Sequence, residues 1–215
     1  MRATLLIVMM LFAPAPAMSN DLPDGLPPDL HAIAQLTLSD PDIAEMAATC
    51  PSQLWADHSL SPASFLLGDC RSPTECQQHC VQGVGAACFD LALGFQDMKP
   101  EMPVAVSERL FAQSCASGYA GGCTNRAAGL LSREVDDPFT SRPLEDAKVC
   151  AAKTFEITCN MDDAWGCTMH ALNLLSGTLG PEDRPAAEKA ARKACALDPD
   201  DSVGACSYAR AVMQH

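Results

Sequence analysis

The sequence predicts an all-α fold, an α/α solenoid of stacked helix pairs stapled by disulfides. Three observations predict it. Cysteines recur in pairs on a regular grid, the residues around each pair repeat at helical spacing, and the chain opens with features of export. Of the 215 residues, twelve are cysteines, and none lies in the leader.

From the N-terminus, Arg2 precedes an apolar run from Ala3 to Phe12, and Ala13-Pro14-Ala15-Pro16-Ala17 offers small residues for cleavage after Ala17. Residues 1–17 are therefore expected to be a signal peptide. The run is shorter than the about 20 residues that span a bilayer. In the compartment this implies, oxidising and either periplasmic or secreted, many cysteines mean disulfides rather than metal sites. The balance of 14 basic against 27 acidic residues gives −13, or −14 once Arg2 leaves with the leader. That charge argues against nucleic acid and anionic membrane surfaces, and no second apolar stretch is long enough to span a membrane.

Residues 18–28, with Pro23, Pro27 and Pro28, are expected to be a flexible proline-rich arm. Residues 29–70 are less regular, with Asp40-Pro-Asp-Ile43 and Ser61-Pro-Ala-Ser64 as helix starts. Terminal repeats close a stack, so this segment is expected to form the N-terminal cap.

The repeat array occupies 71–215. Seven residues separate Cys80 from Cys88, Cys115 from Cys123 and Cys159 from Cys167, and ten separate Cys195 from Cys206. The first cysteines are spaced by 35, 44 and 36 residues, a period of helix-pair solenoids with one insertion. That insertion is the enlarged loop at 136–143. The strings Cys88-Phe-Asp-Leu-Ala92, Cys123-Thr-Asn-Arg-Ala127 and Cys167-Thr-Met-His-Ala171 place alanine four residues after the second cysteine, and Phe95, Leu130 and Leu174 at seven. These lie on one helical face, where alanine allows close approach and the larger residue fills the space beyond. Four residues before the first cysteine stand Phe111, Phe155 and Ala191, on the same face one turn away.

Start and stop signals complete the units. Ser72-Pro73-Thr74-Glu75 reads as an N-cap with proline and an acid in the first turn. Gly180-Pro181-Glu182-Asp183 opens the last long helix, and Leu197-Asp198-Pro199 ends it. Glycine before the second cysteine, as at Gly122, is expected to serve the tight turn. Each pair then clips one helix end to the next helix start, contributing about 2–3 kcal/mol per clip in the chain-entropy model.

The string from Ser114 to Leu131, with Cys115, Gly118, Gly122, Cys123 and Ala127, resembles the cysteine-rich subclass of Sel1-like repeats, the Hcp type. The resemblance covers about Ser72 to His215, with Cys159 to Leu175 as its second-best copy. It departs at the 44-residue spacing, at the ten-residue gap of the last pair and in having few of the usual glycine-tyrosine positions. The segment Ala196 to Asp201 also resembles a tetratricopeptide-repeat junction. The resemblance implies right-handed superhelical stacking, a concave surface and export. Members of this family are mostly scaffolds or adaptors; some secreted bacterial ones are labelled penicillin-binding or β-lactamase proteins. A mitochondrial relative is linked to cytochrome oxidase assembly.

The chain itself offers little for catalysis. No serine has lysine three residues on, Lys153-Thr154-Phe155 lacks the glycine of Lys-Thr-Gly, and Ser-Asp-Asn, Gly-x-Ser-x-Gly and His-Glu-x-x-His are absent. No catalytic residue, metal site or cofactor is therefore assigned. Cys76-Gln-Gln-His79-Cys80 crowds three zinc-ligand types together, but Cys80 belongs to a clip. Four cysteines fall outside the repeat: Cys50, Cys70, Cys76 and Cys150. Three connectivities stay open. Cys76 and Cys150 stand two units apart, about 20 Å at 8–10 Å per helix, too far to bridge. Cys50 with Cys70 is the preferred pair, which leaves Cys76 and Cys150 as free thiols and a candidate redox site.

The function expected is a protein–protein interaction scaffold or adaptor, with a protein or peptide partner of the cell envelope in the groove formed by the first helices. The alternatives are a β-lactam or peptidoglycan-amide binding or hydrolysing protein and a redox or oxidase-assembly factor.

Overall fold

The computed structural model describes residues 22–55, 70–99, 101–132 and 143–214. The expected signal segment, the helix start at Ser61 and nearly all of the enlarged loop lie outside these residues. Among the described residues there are eleven helices and no strand. Three lead: α1 (Pro28–Ser39), α2 (Pro41–Ala48) and α3 (Pro51–Leu54). Four pairs follow: α4 (Pro73–Val81) with α5 (Gly85–Gln96), α6 (Val104–Ala116) with α7 (Ala120–Ser132), α8 (Leu144–Asn160) with α9 (Ala164–Ser176), and α10 (Arg184–Leu197) with α11 (Ala205–Met213). From α4 onward each helix packs on its neighbour in sequence, and α5, α7, α9 and α11 touch in succession.

Every turn inside a pair is clipped, by Cys80–Cys88, Cys115–Cys123, Cys159–Cys167 and Cys195–Cys206. In the first three units the turn closes the same way. The residue three after the first cysteine has positive φ: Gly83 at 86°, Gly118 at 82° and Asp162 at 63°. Its N–H donates to the first cysteine's carbonyl at 2.9–3.1 Å, and the next N–H donates to the carbonyl just before that cysteine at 3.0–3.1 Å. This pair of bonds is a Schellman motif, which satisfies the last carbonyls of the helix. The glycine before the second cysteine has another task from the one expected. It sits in the opening turn of the second helix and makes room for the first. A Cβ on Gly122 would lie 2.3 Å from the Ser114 hydroxyl, and one on Gly166 would lie 2.3 Å from that of Thr158.

The helical faces are filled as their spacing requires. Ala92, Ala127, Ala171 and Ala209 have no exposed surface, and Phe111 and Phe155 are buried in the slot four residues before the first cysteine. Helix starts depart from the sequence in one place. Ser72 accepts from the Glu75 N–H and Asp40 caps α2, as their positions suggest, but the last long helix starts at Arg184, capped by Asp183.

The segment read as an end cap goes elsewhere. Helix α1 packs on α4 and α6, α2 on α6, and α3 on α6, α7 and α8. The segment is thus a strap laid across the first helices of three successive units. Cys50, at the start of α3, reaches Cys150 of α8 and bonds to it, closing a separation of 100 residues. Cys70 bonds to Cys76. These two pairs replace the expected Cys50–Cys70 bridge and the expected free thiols at Cys76 and Cys150; all twelve cysteines are oxidised. The expectation failed because it kept Cys50 at the α4 end of the stack, whereas the strap carries it two units along.

Candidate functional site

The strap is held by two arginines. Thr37 and Leu38 lie in the last turn of α1, and Ala47 in the last turn of α2, where carbonyls have no partner within their own helices. Arg109 of α6 donates from Nη1 to the carbonyls of Thr37 (3.1 Å) and Leu38. Arg126 of α7 donates from Nη2 to the Ala47 carbonyl at 2.6 Å. Each guanidinium thus caps the negative end of a strap helix, where the helix dipole favours a cation. Arg126 has no exposed surface, and its Nη1 meets Glu108 Oε2 at 2.6 Å. Gly129 leaves the space for that carboxylate: a Cβ there would lie 2.2 Å from Glu108 Oε2. In the repeat register Arg126 stands where Leu91 stands in the first unit. A charged residue in a core slot was the visible signal of this site.

Links between units run through the residue after the second cysteine. Phe89 packs on Tyr119 and Phe111, with ring centroids 5.1 Å and 5.6 Å away. The Thr124 hydroxyl donates to Asp163 Oδ2 at 2.6 Å and lies 3.0 Å from the Thr158 hydroxyl. Thr168 donates to the Ala205 carbonyl at 2.9 Å. One position of the repeat therefore grips the next junction, by an aromatic ring first and by threonine afterwards. Burial pushes the Asp163 carboxyl up, against hydrogen bonds from Thr124 and the Gly166 N–H that pull it down. Burial, with Asp163 and Asp90 nearby, pushes the Tyr119 hydroxyl to about 12.

Two features face outward. The first is the Cys70–Cys76 disulfide, which borders a cleft of about 430 Å³ shared with Arg71, Asp90, Phe95 and Met98. Both sulfurs and a carboxylate oxygen of Asp90 lie within 4.8 Å of one another. Joined sulfurs do not act as thiolate ligands, so the cluster holds no metal in this form. His79, which shares the crowded sequence with Cys76, is outside that cluster.

The second is the edge formed by the last two junctions. The Trp165 ring lies 5.6 Å from Tyr208, and its Nε1–H donates to the Val203 carbonyl at 3.0 Å. Val203 and Tyr208 are about half exposed (55% and 46%), as is Met161 on the neighbouring turn (43%). Asp162, Asp200 and Asp201 are exposed around them. Behind this edge the buried carboxylate of Asp198 accepts from the Ser202 hydroxyl and from the Val203 and Ala205 N–H groups at 3.1–3.4 Å. Burial raises the Asp198 carboxyl, but these bonds outweigh it and hold the group below its ordinary range.

Comparison with protein-family models, with curated proteins and with solved structures finds no match for this chain. The residues themselves carry the functional reading. The described helices include none long and apolar enough to cross a membrane, and six disulfides fit an oxidising environment.

Proposed function

We propose that the protein is an interaction scaffold or adaptor of an oxidising compartment, periplasmic or secreted, built on Sel1-like helix pairs. The first-helix groove expected to take a partner is occupied over α4, α6 and α8 by the chain's own strap. We place the docking surface instead on the junction edge of the last two units, where the part-exposed Trp165 and the exposed Val203 and Tyr208 carry the reading. A soluble protein seldom leaves Trp, Tyr, Val and Met together at its surface without a use for them. With Asp200 and Asp201 exposed on the same turn as Val203, the patch suits a partner segment that places a lysine or arginine beside an apolar side chain.

A photo-crosslinking residue at position 208, in the native envelope, tests this. The expected adduct is discrete, is lost with Val203→Asp and weakens as salt is raised, since exposed charges are screened. An equal yield from exposed position 35 on the strap, or no adduct from 208, overturns it.

A further inference from the structure

We propose that Cys70–Cys76 is an exchangeable disulfide, a second function beyond the scaffold, that oxidises a dithiol in an extended peptide or protein segment lodged in the cleft beside it. Five of the six disulfides have clear structural tasks: four clip helix junctions, and Cys50–Cys150 fastens the strap. Cys70–Cys76 joins no two elements. It ties the residue two before the α4 N-cap to the first turn of α4, across a separation of six residues. Its loop is shorter than the eight-residue separations of the first three junction clips and far shorter than the 100 of the strap bond, but the distinction from the clips is that it holds no helix to another. It is therefore the bridge whose opening disturbs the fold least.

Its surroundings favour exchange. Cys70 is part-exposed, whereas Cys76 is buried at 6%, so an incoming thiolate reaches the Cys70 sulfur and Cys76 is the leaving group. Cys76 lies at the N-terminal end of α4, and Arg71 lines the same cleft; both favour a departing thiolate. The Asp90 carboxylate is within 4.8 Å of both sulfurs, close enough to relay a proton through one water. Phe95 and Met98 give the cleft an apolar wall for the substrate's flanking residues.

The chemistry balances with the dithiol alone. One substrate thiolate attacks Cys70 Sγ, the Cys70–Cys76 bond breaks, and Cys76 leaves with the electron pair. The second substrate thiol gives its proton to Asp90 and attacks the substrate sulfur of the mixed disulfide, releasing Cys70 as a thiolate. Two electrons pass to the protein; Asp90 hands the second thiol's proton to Cys70, and Cys76 takes a proton from solvent in place of the one the first substrate thiol lost to solvent on ionising. One substrate disulfide forms per chain, reversibly.

The test is to titrate the full chain with a reduced/oxidised glutathione series, trap thiols by alkylation and map the peptides by mass. Expected is opening of Cys70–Cys76 while the other five bonds stay closed, with Cys76 the first residue alkylated at short times and Cys70 carrying glutathione. In parallel, a dithiol peptide mixed with the oxidised chain should yield one equivalent of peptide disulfide. A Cys70→Ser/Cys76→Ser chain should yield none. Asp90→Asn should slow the exchange about 100-fold at neutral pH, the low end for general acid–base assistance, with helix content and the other five bonds unchanged. Asp90→Glu should restore most of the rate. The proposal is overturned if Cys70–Cys76 opens only together with the junction clips, if the double-serine chain oxidises the peptide as the native chain does, or if Asp90→Asn leaves the rate unchanged. The photo-crosslink at position 208 is independent of all three outcomes.

Discussion

The two ends of the stack are held together in different ways. Around α4, α5 and α6 the core is aromatic and aliphatic, with Phe89, Phe95, Met102, Val106, Leu110 and Phe111 buried under the strap residues Ile33 and Ala34. Around α9, α10 and α11 the buried residues are almost all alanine: Ala171, Ala187, Ala190, Ala191, Ala194 and Ala209, beside Cys159 and Cys167. An alanine methyl removes far less apolar surface from water than a phenylalanine ring. The last unit compensates with local fastenings. Lys193 donates to the Cys159 carbonyl at 2.6 Å and pairs with Asp162 at 2.8 Å, Asp198 organises its turn, and Cys195–Cys206 closes it. One repeat pattern can thus be stabilised by burial at one end and by cross-links at the other. The exposed Trp165–Tyr208 edge lies at the end that depends on cross-links.

The largest effect should come where burial and strap meet. Arg126→Met leaves Glu108 buried without its cation and the Ala47 carbonyl without its donor, and should cost about 3–5 kcal/mol. Denaturant unfolding measures this, and adding Glu108→Leu should recover most of the loss. Phe111→Ala should likewise cost about 3–5 kcal/mol, whereas Ala191→Gly, in the same repeat slot of the last unit, should cost about 1 kcal/mol. Equal costs at the two positions would erase the contrast between the ends.

Cross-links give the opposite asymmetry. Cys195→Ser with Cys206→Ser should cost about 2–4 kcal/mol and, by hydrogen exchange, loosen α10 and α11 while α5 and α6 keep their protection. Cys80→Ser with Cys88→Ser should leave α4 and α5 docked, because the aromatic core and the strap still hold them. A smaller change, about 1 kcal/mol, is expected from Thr124→Val, which removes the hydroxyl between the second and third junctions.

Acid should separate two buried carboxyls by sign. The Asp198 carboxyl is held below its ordinary value, so its contribution is present above about pH 4 and is lost as pH falls through the lowered value. Asp163 is raised by burial, so protonating it relieves an unfavourable charge instead. Hydrogen exchange below pH 4 should therefore show the α10–α11 turn opening before the α8–α9 turn, and Asp198→Asn should abolish that order.

The helical stack was legible because its signals are local. Cysteine spacing, Ala92 and its counterparts, and the Phe111 slot are each read within one or two helical turns. The strap was not legible, because its partners are remote. Arg109 meets Thr37 and Leu38 across more than 70 residues, and Arg126 meets Ala47 across 79. No periodicity records such a contact, and the proline-led helix starts in 29–54 suit an end cap as well as a strap. The sequence did expose one clue: Arg126 occupies the slot of Leu91, and a cation there requires an anion and a carbonyl to meet it. The candidate chemistry was half legible. The four cysteines outside the repeat stand out in the sequence, but their pairing, Cys50–Cys150 and Cys70–Cys76, depends on where the strap runs.

Digestion under acidic, non-reducing conditions, followed by mass spectrometry of the linked peptides, tests that course most directly. A Cys50 peptide joined to a Cys150 peptide, with Cys70 joined to Cys76, is the expected result. A Cys50–Cys70 linkage, with free thiols at Cys76 and Cys150, would contradict the strap and return the segment to the end of the stack.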